Sequence, residues 1–268
     1  MRATRSAGGF TVRRLERIER LSDSETPAFE RRVADNLRAV RERIGRALAS
    51  AGRRPESVAV LAVTKGFGPE AVTAAIAAGL TDVGENYLQE AAAKFAAVDS
   101  RSAASARRHF IGRLQRNKCK RVAELFDVVQ SVDHLALAEA LDRAAREAAK
   151  TLDVLVQLNI ASDDRAGIPP DEAAAFSEAV RSLPNLRLRG VMAVGPADPA
   201  KVGSAFARAN AAFASLRDSI AGEPILSLGM TADLEAAVAA GSTMVRLGTA
   251  LFGERPVKQV STPDGGEG

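Results

Sequence analysis

The residues with the most chemical promise stand at the ends of short apolar runs. Lys65 follows Val58-Ala-Val-Leu-Ala-Val63 and Thr64. An amine at the end of a buried strand is partly desolvated. In a cationic site its pKa falls further, which makes it a Schiff-base nucleophile toward aldehydes. A lysine that simply reaches out to water is the competing reading. Two later runs end in Ser227-Leu-Gly229-Met-Thr231 and Arg246-Leu-Gly248-Thr249. Gly229 and Gly248 permit close backbone approach, and Thr231 and Thr249 supply hydroxyls. Each pair precedes a helical stretch, whose free N–H groups and dipole favour an anion. The same residue types also end strands and cap helices. Arg246 lies two residues before Gly248 and points to the same side of its strand. It reads as a cation facing a ring acceptor or as the partner of an acid such as Glu235.

These residues need a scaffold, and the hydrophobic pattern supplies one. Phe29, Val33, Leu37, Val40, Ile44 and Leu48 recur at helical spacing over 28–50. Apolar segments at 58–63, 82–84, 109–111, 128–132, 154–160, 188–193, 225–228 and 243–247 read as eight strands. They alternate with helical stretches at 69–78, 89–98, 114–126, 135–149, 170–183, 199–220 and 232–240. Such alternation means right-handed crossovers and a parallel sheet. Eight units in this length fit a closed (β/α)8 TIM barrel, with an open doubly wound sheet as the alternative. In a barrel the strand C-termini form the active face, with a phosphate site after strands 7 and 8. Lys65, Arg246 and the glycine–threonine pairs then share one mouth. The barrel is expected as a single domain over 26–256. Residues 1–25 read as a flexible extension and 257–268 as a disordered tail.

Composition removes several classes. The single Cys119 excludes an internal disulfide framework and a cysteine-built zinc site, and fits a reducing, cytoplasmic setting. Two histidines, His109 and His134, argue against a metal centre. No apolar stretch is long enough to span a membrane. The net charge of +4 resides in residues 1–20, with six arginines against two acids, so the rest of the chain is neutral. With no tryptophan and only Tyr87 as tyrosine, nucleic-acid binding is not expected. The basic run of Arg107, Arg108, Arg113, Arg116, Lys118, Lys120 and Arg121 reads first as a solvated face. Binding of a client apo-enzyme or nucleic acid is its sharper alternative. Cys119 reads as incidental, although the flanking cations could lower its thiol pKa. His109 reads as a core histidine, and His134 starts a helix.

A lysine that forms a Schiff base, a phosphate cup and a polar residue facing a ring together describe a site for pyridoxal 5'-phosphate (PLP). The sequence resembles the PLP homeostasis proteins, PLP-binding barrels related to the N-terminal domain of alanine racemases. The matching stretches are Leu61–Lys65, Asp82-Val-Gly-Glu-Asn-Tyr-Leu-Gln-Glu90, His109-Phe-Ile-Gly-Arg-Leu-Gln-Arg-Asn-Lys118, Leu226–Thr231 and Ala240–Gly253. By this resemblance Lys65 is the Schiff-base lysine. Ser227, Gly229, Thr231, Gly248 and Thr249 match the phosphate positions. Arg246 matches the residue facing the pyridine nitrogen, and Asn86 lies on the cofactor-facing strand end. There are departures. Thr64 and Thr231 stand where the family more often has serine. The loop over 160–167 lacks a lysine before Gly167, and strand 6 ends in Met192-Ala-Val-Gly195.

The resemblance implies storage, buffering or delivery of PLP inside the cell without robust turnover, and no catalytic residues are expected. The alternative is a PLP-dependent amino-acid racemase. An arginine at the ring nitrogen disfavours the pyridinium and weakens the electron sink. Racemases of this kind add a tyrosine from a further domain, and too little sequence follows strand 8 to form one. A monomer is expected, with PLP-dependent apo-enzymes as candidate partners.

Overall fold

The computed structural model describes residues 22, 24–98, 105–161, 164–220 and 222–255. The expected tail over 257–268, and nearly all of the expected extension over 1–25, lie outside the described residues. Eight parallel strands close into a barrel in chain order: β1 (Ala59–Val63), β2 (Asp82–Glu85), β3 (Arg107–Phe110), β4 (Val128–Val132), β5 (Leu152–Leu158), β6 (Leu186–Ala193), β7 (Ile225–Ser227) and β8 (Met244–Leu247). Closure comes from β1 pairing with β8, with Leu61 opposite Arg246. The open-sheet alternative is thereby excluded.

Helices wrap the barrel: α1 (Thr26–Ser50), α2 (Pro69–Ala77), α3 (Leu88–Ala97), α4 (Cys119–Leu125), α5 (Leu135–Glu147), α6 (Ala173–Arg181), α7 (Pro199–Leu216), α8 (Leu234–Ala239) and the short α9 (Thr249–Phe252). Their apolar stripes and the outward faces of the strands form the main core. Helix α1 buries the six residues that its spacing singled out, together with Ala47. It packs on the C-terminal end of the barrel: Phe29 stacks on Phe252 at 6.2 Å, and Asn36 Nδ2 donates to the Leu251 carbonyl at 2.9 Å. The turn after β8 is thus held from outside.

Several boundaries differ from the periodicity, among them two in the segments that follow β3 and β5. The stretch after β3 opens as a 3-10 turn at Arg116–Lys118 before α4 begins. Strand β5 stops at Leu158, because Asn159 N–H donates to the Ile168 carbonyl and turns the chain into a loop. Inside the barrel, Leu61, Leu155, Met192, Ile225 and Met244 form a small separate apolar cluster. That interior also carries buried polar side chains, including His109, Gln130, Ser227 and Arg246. A wholly apolar filling would need no such groups, and each of these four is hydrogen-bonded.

Candidate functional site

The barrel places Lys65 at the C-terminal end of β1, between the ends of β2 and β8. Its side chain is half-buried. Burial first, then the charges of Arg255 and Arg246, pull its pKa below the usual lysine range, while Glu85 and Glu90 oppose them. This is the electrostatic setting that favours a neutral, nucleophilic amine.

Arg246 on β8 points into the barrel and not toward Glu235, which pairs with Arg43 at 2.9 Å. Its guanidinium bridges two other strands. Nη1 donates to the Ser227 carbonyl at 2.7 Å and to Ser227 Oγ at 2.8 Å, and Nη2 donates to the Ala193 carbonyl at 2.9 Å. Complete burial pushes its pKa down to about 10, against a smaller pull from Asp233.

Ser227 Oγ passes the chain on, donating to Gln130 Oε1 at 2.8 Å. That fixes the amide, so Gln130 Nε2 faces His109 Nδ1 at 2.9 Å. His109 Nε2 then faces Asp82 Oδ1 at 2.8 Å, and Asp82 also receives Arg107 Nε at 2.7 Å. A donor on Gln130 requires an unprotonated Nδ1, which makes His109 neutral with its proton on Nε2. Burial, the largest effect, likewise lowers the His109 pKa. The hydroxyl of Ser227 therefore serves Arg246 and Gln130 inside the barrel.

The remaining expected positions lie around the same mouth. Gly229 has φ +92° and a Cβ there would come 2.5 Å from Ala237 Cβ, so only glycine brings this strand end onto α8. Thr231 follows with its carbonyl receiving Arg43 Nη2 at 3.2 Å. Gly248 precedes α9, where Thr249 is exposed. The first N–H groups of a helix have no intrahelical acceptor and suit an anion. Asn86 follows β2, and its Oδ1 is buried without a hydrogen-bond partner. Gly112 supports it from the bend after β3: a Cβ there would lie 2.1 Å from the Asn86 carbonyl oxygen. The set combines a low-pKa amine, an open buried acceptor, hydroxyls and free N–H groups. It suits an aldehyde that carries an anionic group.

Sequence reasoning left several residues of this region without a role. Lys94, Glu85 and Glu90 form a buried ionic cluster beneath the turn that carries Lys65. A lysine on the buried stripe of α3, between Ala91 and Phe95, is the sequence signal for it. Arg255, Gln130 and Asp82 offered no local signal. Elsewhere, Cys119 is buried and its thiol is pushed up to about 11 by that burial, so the flanking cations do not activate it. His134 stands at the start of α5 as expected, its side chain paired with Asp133 rather than with the helix backbone. In the basic run, Arg107, Arg121 and Lys120 pair with Asp82, Glu124 and Glu147. Among the described residues no His, Cys, Asp and Glu cluster suits a metal ion, and no helix is long and apolar enough to cross a membrane.

The family model described as alanine racemase, N-terminal domain, matches residues 32–256. The pyridoxal phosphate homeostasis protein of Pseudomonas aeruginosa is 44% identical over 228 residues, covering 83% of this chain and 96% of that protein. The chain belongs to the pyridoxal phosphate homeostasis protein family. Solved structures agree with that placement. PipY of Synechococcus elongatus, solved with PLP bound, is 36% identical with a TM-score of 0.67, over 78% of this chain and all of that one. A Bifidobacterium adolescentis protein described as unknown is 33% identical with a TM-score of 0.79, over 87% and 98% of the two chains. The pyridoxal phosphate homeostasis protein fold is thus the closed barrel described above.

Proposed function

We propose that this protein binds pyridoxal 5'-phosphate at the barrel mouth and serves intracellular PLP homeostasis by storing, buffering or delivering it, without robust turnover. The observation that carries the reading is Lys65, a half-buried amine whose pKa is lowered by burial and by Arg255 and Arg246, at the mouth of this family's barrel. The PLP-bound PipY structure and the name of the Pseudomonas relative support the choice of cofactor.

When bound, PLP supplies an aldehyde and an electron-accepting ring. Lys65 Nζ is the amine that would hold that aldehyde. Gly229, Thr231, Gly248 and Thr249 would hold the phosphate through backbone N–H groups and hydroxyls, and Asn86, just after β2, would offer an acceptor to the ring. Arg246 would serve as the donor toward the ring nitrogen. Ser227, matched to the phosphate set by resemblance, acts through Arg246, since its hydroxyl already joins Arg246 to Gln130.

Absence of robust turnover follows from the same residues. A permanently cationic donor at the ring nitrogen leaves no partner for a pyridinium proton, so the ring withdraws electrons weakly. Racemisation also needs a second base on the face opposite Lys65. Tyr87, the chain's single tyrosine, has 63% of its surface open to solvent. The setting we infer is cytoplasmic, the unit a monomer, and the recipients PLP-dependent apo-enzymes.

The deciding experiment is a visible absorption spectrum of the purified protein, followed by borohydride reduction and peptide mapping. A visible band that disappears on reduction, with the adduct on Lys65, is the expected result. A protein that cannot be loaded with added PLP, or an adduct on another lysine, overturns the assignment. Lys65-dependent turnover of an amino acid overturns the non-catalytic part alone.

A further inference from the structure

Beneath the mouth lies a buried ionic cluster that cofactor binding does not itself use. Lys94 on α3 has a side chain only 1% exposed. Its ammonium donates to the Thr64 carbonyl at 2.6 Å, to Glu90 Oε1 at 3.1 Å and to Glu85 Oε1. Each carboxylate also grips the turn after β1. Glu85 Oε1 accepts from Thr64 Oγ1 at 2.5 Å, and Glu90 Oε1 accepts from Gly66 N–H at 2.5 Å. The residues on both sides of Lys65 are therefore held by one three-residue cluster.

We propose that Lys94 is a positioning residue for Lys65: it clamps the Thr64–Gly66 turn through Glu85 and Glu90 and neutralises those two carboxylates beside the Lys65 amine. This rests on Lys65 being the amine that links to PLP.

The electrostatic balance gives the clamp a second consequence besides geometry. The charged groups that act on Lys65 are Arg246 from β8, Arg255 after α9, Glu85 from β2 and Glu90 from α3. The arginines favour the neutral amine and the carboxylates favour the ammonium. Lys94 is the cation bonded to both carboxylates. Glu85 needs it most, because its side chain is fully buried and its second oxygen, Oε2, has no partner. Without Lys94, Glu90 faces Lys65 with no bonded counter-ion, and Glu85, whose pKa burial already raises against the pull of Lys94, becomes an uncompensated buried carboxylate once it ionises, so the Lys65 ammonium is held more tightly in the alkaline range where Lys65 titrates.

The test uses the full chain free of PLP, so that it does not depend on cofactor loading. Reductive methylation of Lys65 with formaldehyde is followed against pH and quantified by peptide mapping. Lys94→Met is expected to move the midpoint of Lys65 reactivity up by about one pH unit. Glu90→Gln keeps an acceptor for Gly66 N–H but removes a negative charge, so it is expected to move the midpoint down. Lys94→Arg retains the cation and stays close to the parent protein. Opposite shifts from two variants that both weaken the cluster are the signature of charge control, which a merely structural role does not produce. Midpoints that stay put, or that move in the same direction, overturn the proposal. If Lys94→Met does not fold, an unmoved Glu90→Gln midpoint overturns it alone. Borohydride trapping of PLP on the parent protein decides separately whether Lys65 is the linking amine.

Discussion

Arg246 Nη1 holds both the carbonyl and the hydroxyl of Ser227, at 2.7 and 2.8 Å, so a guanidinium from β8 ties down the end of β7 from inside the barrel. The same hydroxyl continues to Gln130, His109 and Asp82, and every hydrogen bond in the chain runs from Arg246 toward Asp82. The cation and the anion thus lie at opposite ends of one buried polar line. Ser227→Ala breaks it at the middle. It leaves Gln130 Oε1 without its donor and removes one of three acceptors of Arg246. A loss of ~1–3 kcal/mol is expected for an orphaned buried group, read from the urea midpoint. Arg246 keeps its bonds to the Ser227 and Ala193 carbonyls, so covalent loading of Lys65 persists at lower affinity. A variant as stable as the parent protein counts against the line.

Acid should lower the stability of the protein in two stages. Burial would raise the Asp82 pKa, but the hydrogen bond from His109 and the bond and charge of Arg107 bring it down to about 2 from an ordinary 3.8. Its contribution is complete above pH 4 and is lost as pH falls toward 2; about 2 kcal/mol is at stake. His109 is held neutral by burial, with its pKa below the ordinary 6.5. An unfolded chain takes up that proton first, so stability already declines as pH drops below 6.5. Urea midpoints measured across pH should show both declines. Asp82→Asn should abolish the lower one, and a profile unchanged by that substitution excludes the assignment.

Cys119 should resist thiol reagents in the native state. Its thiol is buried and its pKa is about 11, so almost no thiolate exists at pH 8. Reaction with a disulfide reagent is expected only after denaturation, when one thiol per chain becomes titratable. Rapid labelling of the native protein contradicts this packing.

Gly112→Ala should reach the mouth without touching it directly. The new Cβ would stand 2.1 Å from the Asn86 carbonyl oxygen, a contact that backbone cannot relieve without moving. Expected are a stability loss of roughly 1–3 kcal/mol and weaker PLP binding as Asn86 shifts. Unchanged affinity with a destabilised barrel would show that Asn86 does not face the ligand.

Much of the architecture was legible in the chain itself. The period-3.6 stripe from Phe29 to Leu48 and the valine-rich run at 58–63 are local patterns, and both sit where the periodicity places them. Because eight such strands alternate with helices, the strand ends share one mouth, so the pattern alone puts Lys65, Arg246 and the glycine–threonine pairs into one region. Family resemblance then pointed to PLP. Local pattern could not reveal partners far apart in the chain. Ser227 reaches Gln130 across 97 residues, and Lys94 reaches Thr64 across 30. Those contacts exist only once β8 closes on β1 and the barrel interior excludes water. Burial then obliges each polar group to find a bond. The same closure made Ser227 a support for Arg246, put Arg255 beside Lys65 and buried Cys119 so that desolvation outweighs the cations around it. The amino-acid order determined which groups stand at the mouth; the packed barrel decided which of them are free to meet a ligand and which are already committed to one another.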